Sequence, residues 1–193
     1  MENMLHILGN SGSLRSGSYN RGLLRAAAEL MPEGMTLDIA DLSPIPLYNE
    51  DIFSSRPEAV IHLQEQIRLA DGVIIATPEY NHSIPGVLKN ALDWASRPMK
   101  SQPFGGKPLA VMGAGGRSGT VWAQDHLRQV AAALGMPILM EPQVAVQRAW
   151  EKFDADGHLV DDESRQVIKD QMAAFKVFVI SLKEQEIIAG NPV

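Results

Sequence analysis

Short, almost wholly apolar runs alternate along this chain with longer stretches whose apolar residues return every three or four positions. The runs are Leu5–Gly9, Gly72–Ala76 and Leu109–Met112. Strands with no polar face are buried on both sides, as in a parallel sheet. Thr36–Ile39 alternates apolar and polar and reads as an outer strand. A last strand is expected near Pro137–Met140, resuming at Val144–Val146. Helical stripes lie between them: Leu23, Ala27 and Leu30; Val60, Leu63, Ile67 and Ala70, from about Pro57; Val87–Ala95; and Leu127, Val130, Ala131 and Leu134. A final helix from about Asp162 to Ile187 carries Ile168, Met172, Phe175, Val179 and Leu182. Leu42–Tyr48 holds Pro44 and Pro46, which exclude regular helix, and reads as an extended loop over the carboxyl edge of the sheet. Phe153–Val160 reads as a hairpin turning at Asp156-Gly157.

Strand and helix therefore alternate five times with no linker or repeat, and residues 1–193 are expected to form a single domain. The alternation predicts an α/β fold with helices on both faces of a parallel sheet. Right-handed crossovers with one reversal give the flavodoxin-like five-stranded order 2-1-3-4-5. In that order the first and third strands flank the switch point, where open α/β sheets bind ligands.

Composition narrows the function classes. Among 193 residues there is no cysteine, so disulfides, thiol catalysis and cysteine-zinc sites are excluded. The formal charge of −6 argues against a general nucleic-acid binder. No apolar run is long enough for a membrane helix, and Met1-Glu2-Asn3-Met4 lacks the features of a signal peptide, so a cytoplasmic location is expected. The five histidines show no ligand spacing, and Asp154-x-Asp156-Gly157 lacks the closing glutamate of a calcium loop, so no metal is expected.

The candidate chemistry lies in the loops. Asn10–Asn20 joins the first strand to a helix start and carries Ser11, Ser13, Ser16 and Ser18, two glycines, and Arg15. Free N–H groups at a helix amino terminus favour an anion, and a guanidinium suits a phosphate. The loop is neither a Gly-Lys-Ser/Thr phosphate loop nor a Gly-x-Gly-x-x-Gly fingerprint, and a plain serine-capped turn is the competing reading. Pro78-Glu79-Tyr80-Asn81, stiffened by Pro78 and Pro85, suits a flat heterocycle with a donor/acceptor edge; a surface loop with a buried tyrosine is the alternative. Gly113–Ser118 follows the fourth strand and allows close approach, or is a flexible turn.

Gly12-Ser13-Leu14-Arg15-Ser16-Gly17-Ser18-Tyr19-Asn20 resembles the phosphate motif of the NAD(P)H-dependent FMN reductase family. Pro78–Asn81 followed by Ile84–Trp94 resembles its second signature, and Phe104–Pro108 and His126-Leu127-Arg128 are similar too. The resemblance spans about Leu5 to Leu139. It implies non-covalent FMN, with Ser13, Arg15, Ser18 and Asn20 at the phosphate and Tyr19 beside them. It places Pro78, Glu79, Tyr80 and Asn81 at the ring and ribityl side, and Gly113, Ala114, Gly115, Gly116, Arg117 and Ser118 over the ring. The implied reaction passes hydride from NADPH or NADH through FMN to a quinone, azo compound, chromate or free flavin, with no catalytic side chain of the protein's own. Tyr80 and Arg97 are then the candidates for the substrate pocket, and Met99, Trp94 and Trp122 for contacts in a homodimer or homotetramer. The alternative within the same fold is a flavodoxin-like electron carrier that does not turn over nicotinamide, and a third class is a flavin-free phosphatase or nucleotide-binding regulator.

Overall fold

The computed structural model describes residues 4–188, the side chains of Glu186 and Ile187 excepted. Met1–Asn3, read above as lacking a signal peptide, lie outside the described residues. Five strands, β1 (Leu5–Ser11), β2 (Met35–Ala40), β3 (Gly72–Ala76), β4 (Leu109–Ala114) and β5 (Val144–Val146), form one sheet in the order β2-β1-β3-β4-β5. Every pairing is parallel. The helices are α1 (Tyr19–Glu29), α2 (Glu58–Leu69), α3 (Gly86–Ala95), α4 (Val121–Ala133) and α5 (Asp162–Ile188).

The central strands are buried throughout: every residue of β3 and of β4 is enclosed. Side chains alternate across a strand, so the sheet divides the core in two. Ile7, Ile74, Ala110 and Met112 join Leu23 and Ala27 of α1 and Ile168, Met172, Phe175 and Val179 of α5. Leu8, Val73, Ile75 and Val111 face the other way, against Leu63 and Ile67 of α2, Leu88 and Leu92 of α3, and Leu127 of α4. β2 is an edge strand whose burial alternates, as its sequence does.

One local expectation needs correction. Pro137–Met140 is not a strand. Ile138 forms only an isolated bridge to Leu109, and the regular pairing belongs to Val144–Val146. Pro137 and Pro142 bracket the segment and have no N–H to give a ladder. The Leu42–Tyr48 loop starts at the carboxyl edge, where Leu42 and Ser43 line a groove with Ser11 and Ser13, and then runs along α3. The Pro46 carbonyl accepts the Asn90 amide and the Trp94 indole N–H, each at 2.8 Å, and the Tyr48 N–H donates to Asn90 Oδ1 at 2.7 Å. The expected hairpin is present, with an antiparallel bridge between Phe153 and Leu159.

Candidate active site

Parallel strands present all their carboxyl ends at one edge, so the loops after β1, β3 and β4 converge. Gly12 donates its N–H to the Ala76 carbonyl at 2.8 Å, and a Cβ on Gly12 would lie 3.0 Å from Pro78 Cδ. The first and third loops therefore pack on each other, and a side chain at Gly12 would be a tight fit. Thr77, just past β3, donates its N–H to the Met112 carbonyl in β4 at 3.0 Å.

In the first loop Ser18 caps α1, its hydroxyl accepting the Arg21 N–H at 3.5 Å. Ser13 Oγ accepts the Arg15 N–H at 3.3 Å, and Ser11 Oγ the Ser13 N–H at the same distance. Among the described residues the backbone N–H groups of Leu14, Ser16, Gly17, Tyr19 and Asn20 have no partner. Gly17 has open space where a Cβ would be. A helix amino terminus with unused donors, the exposed Ser16 and the half-buried Ser13 fits a phosphate. Arg15 is exposed, and its guanidinium lies 5.4 Å from the centre of the Tyr19 ring. Asn20 is buried and tied to β4: its amide donates to the Ala114 carbonyl and its carbonyl accepts the Ala114 N–H, both at 2.9 Å. Beside the loop a groove of about 220 Å³ is lined by Ser13, Ser16, Arg21 and Asp41. Asp41 adds a carboxylate that the loop itself lacks. Its pKa is held below the usual value, first by the Ser43 N–H, then by the Ser43 hydroxyl, with Arg21 adding attraction.

The third-strand loop is a miniature hairpin. Tyr80 and Ser83 exchange N–H···O bonds of 3.1 and 3.0 Å around Asn81 and His82, whose φ values are 52° and 58°. Two successive positive φ angles make a type I′ turn, and the tip exposes Tyr80 (57 %) to solvent. The tyrosine is thus not the buried residue of the competing reading.

Glu79 behaves unlike a ligand-facing side chain. Its carboxylate accepts the Trp122 N–H at 3.0 Å, the Ala123 N–H at 3.2 Å and the Ser118 hydroxyl at 3.0 Å. The residue before α4, Thr120, sits in the left-handed region (φ 71°) and makes no side-chain cap. Glu79 supplies that cap from across the cleft, where the helix dipole favours a negative charge. It also ties the β3 loop to the β4 loop. His82 Nδ1 lies 3.5 Å from Glu79 Oε1, and the His82 ring meets Trp122 edge-on at 6.0 Å.

Gly113 and Ala114, expected in the loop, are the last residues of β4 itself, and Gly113 there and Gly115 just past it are required by packing. A Cβ on Gly113 would fall 1.8 Å from Thr120 Oγ1, and one on Gly115 2.9 Å from Thr120 Cγ2. Gly116 faces open space. The Gly115 N–H donates to the Val146 carbonyl, so the donors without a partner among the described residues are those of Gly116, Arg117 and Ser118. Arg117 is exposed at the tip.

Arg97 is not brought to this edge. It lies past the far end of α3, whose ten residues rise about 15 Å, and its carbonyl accepts the Gln64 amide at 2.6 Å. Helices that follow parallel strands run back away from the ligand edge, which separates Arg97 from Tyr80. Trp94 is fully buried and is a core residue, not an interface contact, whereas Met99 and Trp122 are about half exposed. A larger cavity of about 400 Å³ runs along β5 and holds none of the expected site residues. The hairpin brings Asp154, Asp156 and His158 together at the surface, where the Asp154 carboxylate accepts the Asp156 and His158 N–H groups and forms the turn. Among the described residues no helix is long and apolar enough to cross a membrane.

The family model for NADPH-dependent FMN reductase matches residues 5–151. An NAD(P)H-dependent FMN reductase of Pseudomonas aeruginosa is 51 % identical over 185 residues, 95 % of this chain and 100 % of the relative. A 2-hydroxy-1,4-benzoquinone reductase of Burkholderia is 42 % identical over 169 residues, 87 % of this chain and 92 % of the relative. Among solved structures, the flavoenzyme NAD(P)H:(acceptor) oxidoreductase of Paracoccus denitrificans superposes with a TM-score of 0.83 at 30 % identity, covering 92 % of this chain and 98 % of the other.

Proposed function

Because the chain belongs to the NADPH-dependent FMN reductase family, we propose that it is an FMN-dependent NAD(P)H oxidoreductase whose acceptors are small, flat oxidants, quinones first among them. The observation that carries the reading is the cradle of unpartnered N–H groups at the amino end of α1, beside an exposed arginine. It fits the phosphate of a flavin mononucleotide. A bound FMN would supply two-electron transfer from a nicotinamide to the acceptor.

The protein's own part is to bind, orient and shield. In this reading Ser13, Arg15 and the backbone N–H groups of Leu14, Ser16, Gly17, Tyr19 and Asn20 hold the phosphate, with Ser18 and Tyr19 shaping the helix start. Pro78, Asn81 and the Gly116–Ser118 donors lie along the ring edge, where fixed N–H groups favour negative charge in the manner of an oxyanion hole. Asn20, Gly113, Ala114, Gly115 and Glu79 hold those loops in place. Tyr80 walls the acceptor's side and excludes water. Azo compounds, chromate and free flavin are further acceptors compatible with an open cleft. The same reading takes the whole chain as one cytoplasmic unit that pairs as a homodimer or homotetramer through exposed residues such as Trp122 and Met99.

The test is an absorbance spectrum of the purified protein, followed by anaerobic NADPH or NADH. Flavin bands that bleach on reductant, with steady turnover on adding a quinone, are expected. A colourless protein that leaves added FMN fluorescence unquenched overturns the reading. Bleaching with almost no turnover points to an electron carrier instead.

A further inference from the structure

The hairpin after β5 lies beyond the motifs that carry the family resemblance, yet it is built into the wall of the phosphate loop. Phe153 is buried, and its ring centre is 4.9 Å from that of Tyr19, with the planes inclined by 38°. Tyr19 is the first residue of α1, and Arg15 stands on the same ring at 5.4 Å. Arg15, Tyr19 and Phe153 thus form a continuous contact from the hairpin to the cationic end of the loop. The base of this contact is tightly fitted. A Cβ on Gly22 would lie 2.7 Å from the Phe153 ring and 2.6 Å from the Gly157 carbonyl, and Arg25 Nη2 donates to that carbonyl at 2.6 Å. Arg15 has no carboxylate partner among the described residues, so the aromatic face is what restrains its long side chain.

We propose that Phe153 is a positioning residue: through Tyr19 it holds the Arg15 guanidinium at the amino end of α1, ready for the flavin's phosphate. The inference rests on the FMN reading above. Restraining a flexible cation before binding lowers the ordering cost that binding would otherwise carry. The ring face also attracts the cation directly. Phe153 touches neither ring nor phosphate in this scheme, so its effect belongs to the phosphate end alone.

The experiment compares FMN with riboflavin, which lacks the phosphate, on the flavin-free full-length protein by fluorescence quenching. Arg15→Ala is expected to weaken FMN by roughly ten- to a hundredfold and to leave riboflavin unchanged. Phe153→Leu and, independently, Tyr19→Leu are each expected to weaken FMN by roughly two- to fivefold, again sparing riboflavin. Tyr19→Phe, which keeps the ring, retains the FMN preference. In an Arg15→Ala background Phe153→Leu has no further effect on FMN. Equal losses for both flavins, an undiminished loss in that background, or no loss at all would make Phe153 a core residue only and overturn the proposal. If the unmutated protein binds neither flavin, the functional reading itself fails, and this proposal with it.

Discussion

Glu79 and Trp122 are joined by a bond that neither residue type announces: a carboxylate after β3 accepts the backbone N–H of the second residue of α4 at 3.0 Å. One side chain thereby closes a helix end and links two of the three loops at the cleft. Glu79→Ala leaves the amino end of α4 without a cap and Ser118 without a partner. Loss of a charged, largely enclosed cap is expected to cost about 2 kcal/mol. For a chain of this size that is a fall in Tm of roughly 4–8 °C, measurable by thermal unfolding of the flavin-free protein. Glu79→Gln keeps an acceptor and is expected to lose about half as much.

Glycines at the end of β4 and in the loop after it separate into two kinds. Gly113→Ala sets a methyl group 1.8 Å from Thr120 Oγ1 and 2.7 Å from the Thr77 carbonyl, a collision with backbone on a buried strand. The expected loss exceeds about 3 kcal/mol. Gly116→Ala meets nothing within 4 Å and is expected to change stability by under about 0.5 kcal/mol, while weakening FMN by hindering backbone approach. Denaturant titration beside FMN titration tests both halves.

Asn20→Ala strips the Ala114 N–H and carbonyl of their side-chain partner, both buried beneath the cleft. Two orphaned groups are expected to cost roughly 2–4 kcal/mol. Asn20→Asp restores the acceptor but sets a carboxylate against the Ala114 carbonyl, and is expected to be less stable than the parent at pH 7. Urea midpoints of the three proteins give the order.

Asp161 precedes α5, where its carboxylate accepts the Ser164 N–H at 2.9 Å and pairs with Lys152 at 2.8 Å. Those bonds, the Lys152 one first, lower its pKa from 3.8 to about 2. A depressed carboxylate contributes stability above its unfolded value, and the contribution disappears as pH falls through the folded one. Asp161→Ala is therefore expected to cost about 1 kcal/mol at pH 7, a gap that narrows between about pH 5 and pH 2. A gap independent of pH in chemical denaturation would refute the ionic origin.

The sheet and its order were legible because strands enclosed on both faces carry their burial as unbroken apolar runs, such as Gly72–Ala76. The meeting of the first and third loops followed from that order and is seen in the bond from the Gly12 N–H to the Ala76 carbonyl. Other features depend on pairings distant in sequence. Glu79 reads as one more polar residue in its loop, because the helix it caps begins more than forty positions on. Asn20 looks like a phosphate ligand beside its serines, yet it grips a strand 94 residues away. Gly113 looks like a loop glycine, and its necessity lies in the Thr120 hydroxyl. Arg97 followed closely on a promising motif, but a helix carries the chain off before reaching it.

The partition of the interior by the sheet has a bearing on how this cleft can diversify. In the proposed reading, the side that would grip the phosphate is backed by residues packing α1 and α5, and the side that would frame the ring by those packing α3 and α4. Altered volume beneath one wall is screened from the other by an intervening layer of strands. On that reading, new acceptors would be accommodated by reshaping the second wall while the proposed phosphate cradle keeps its shape.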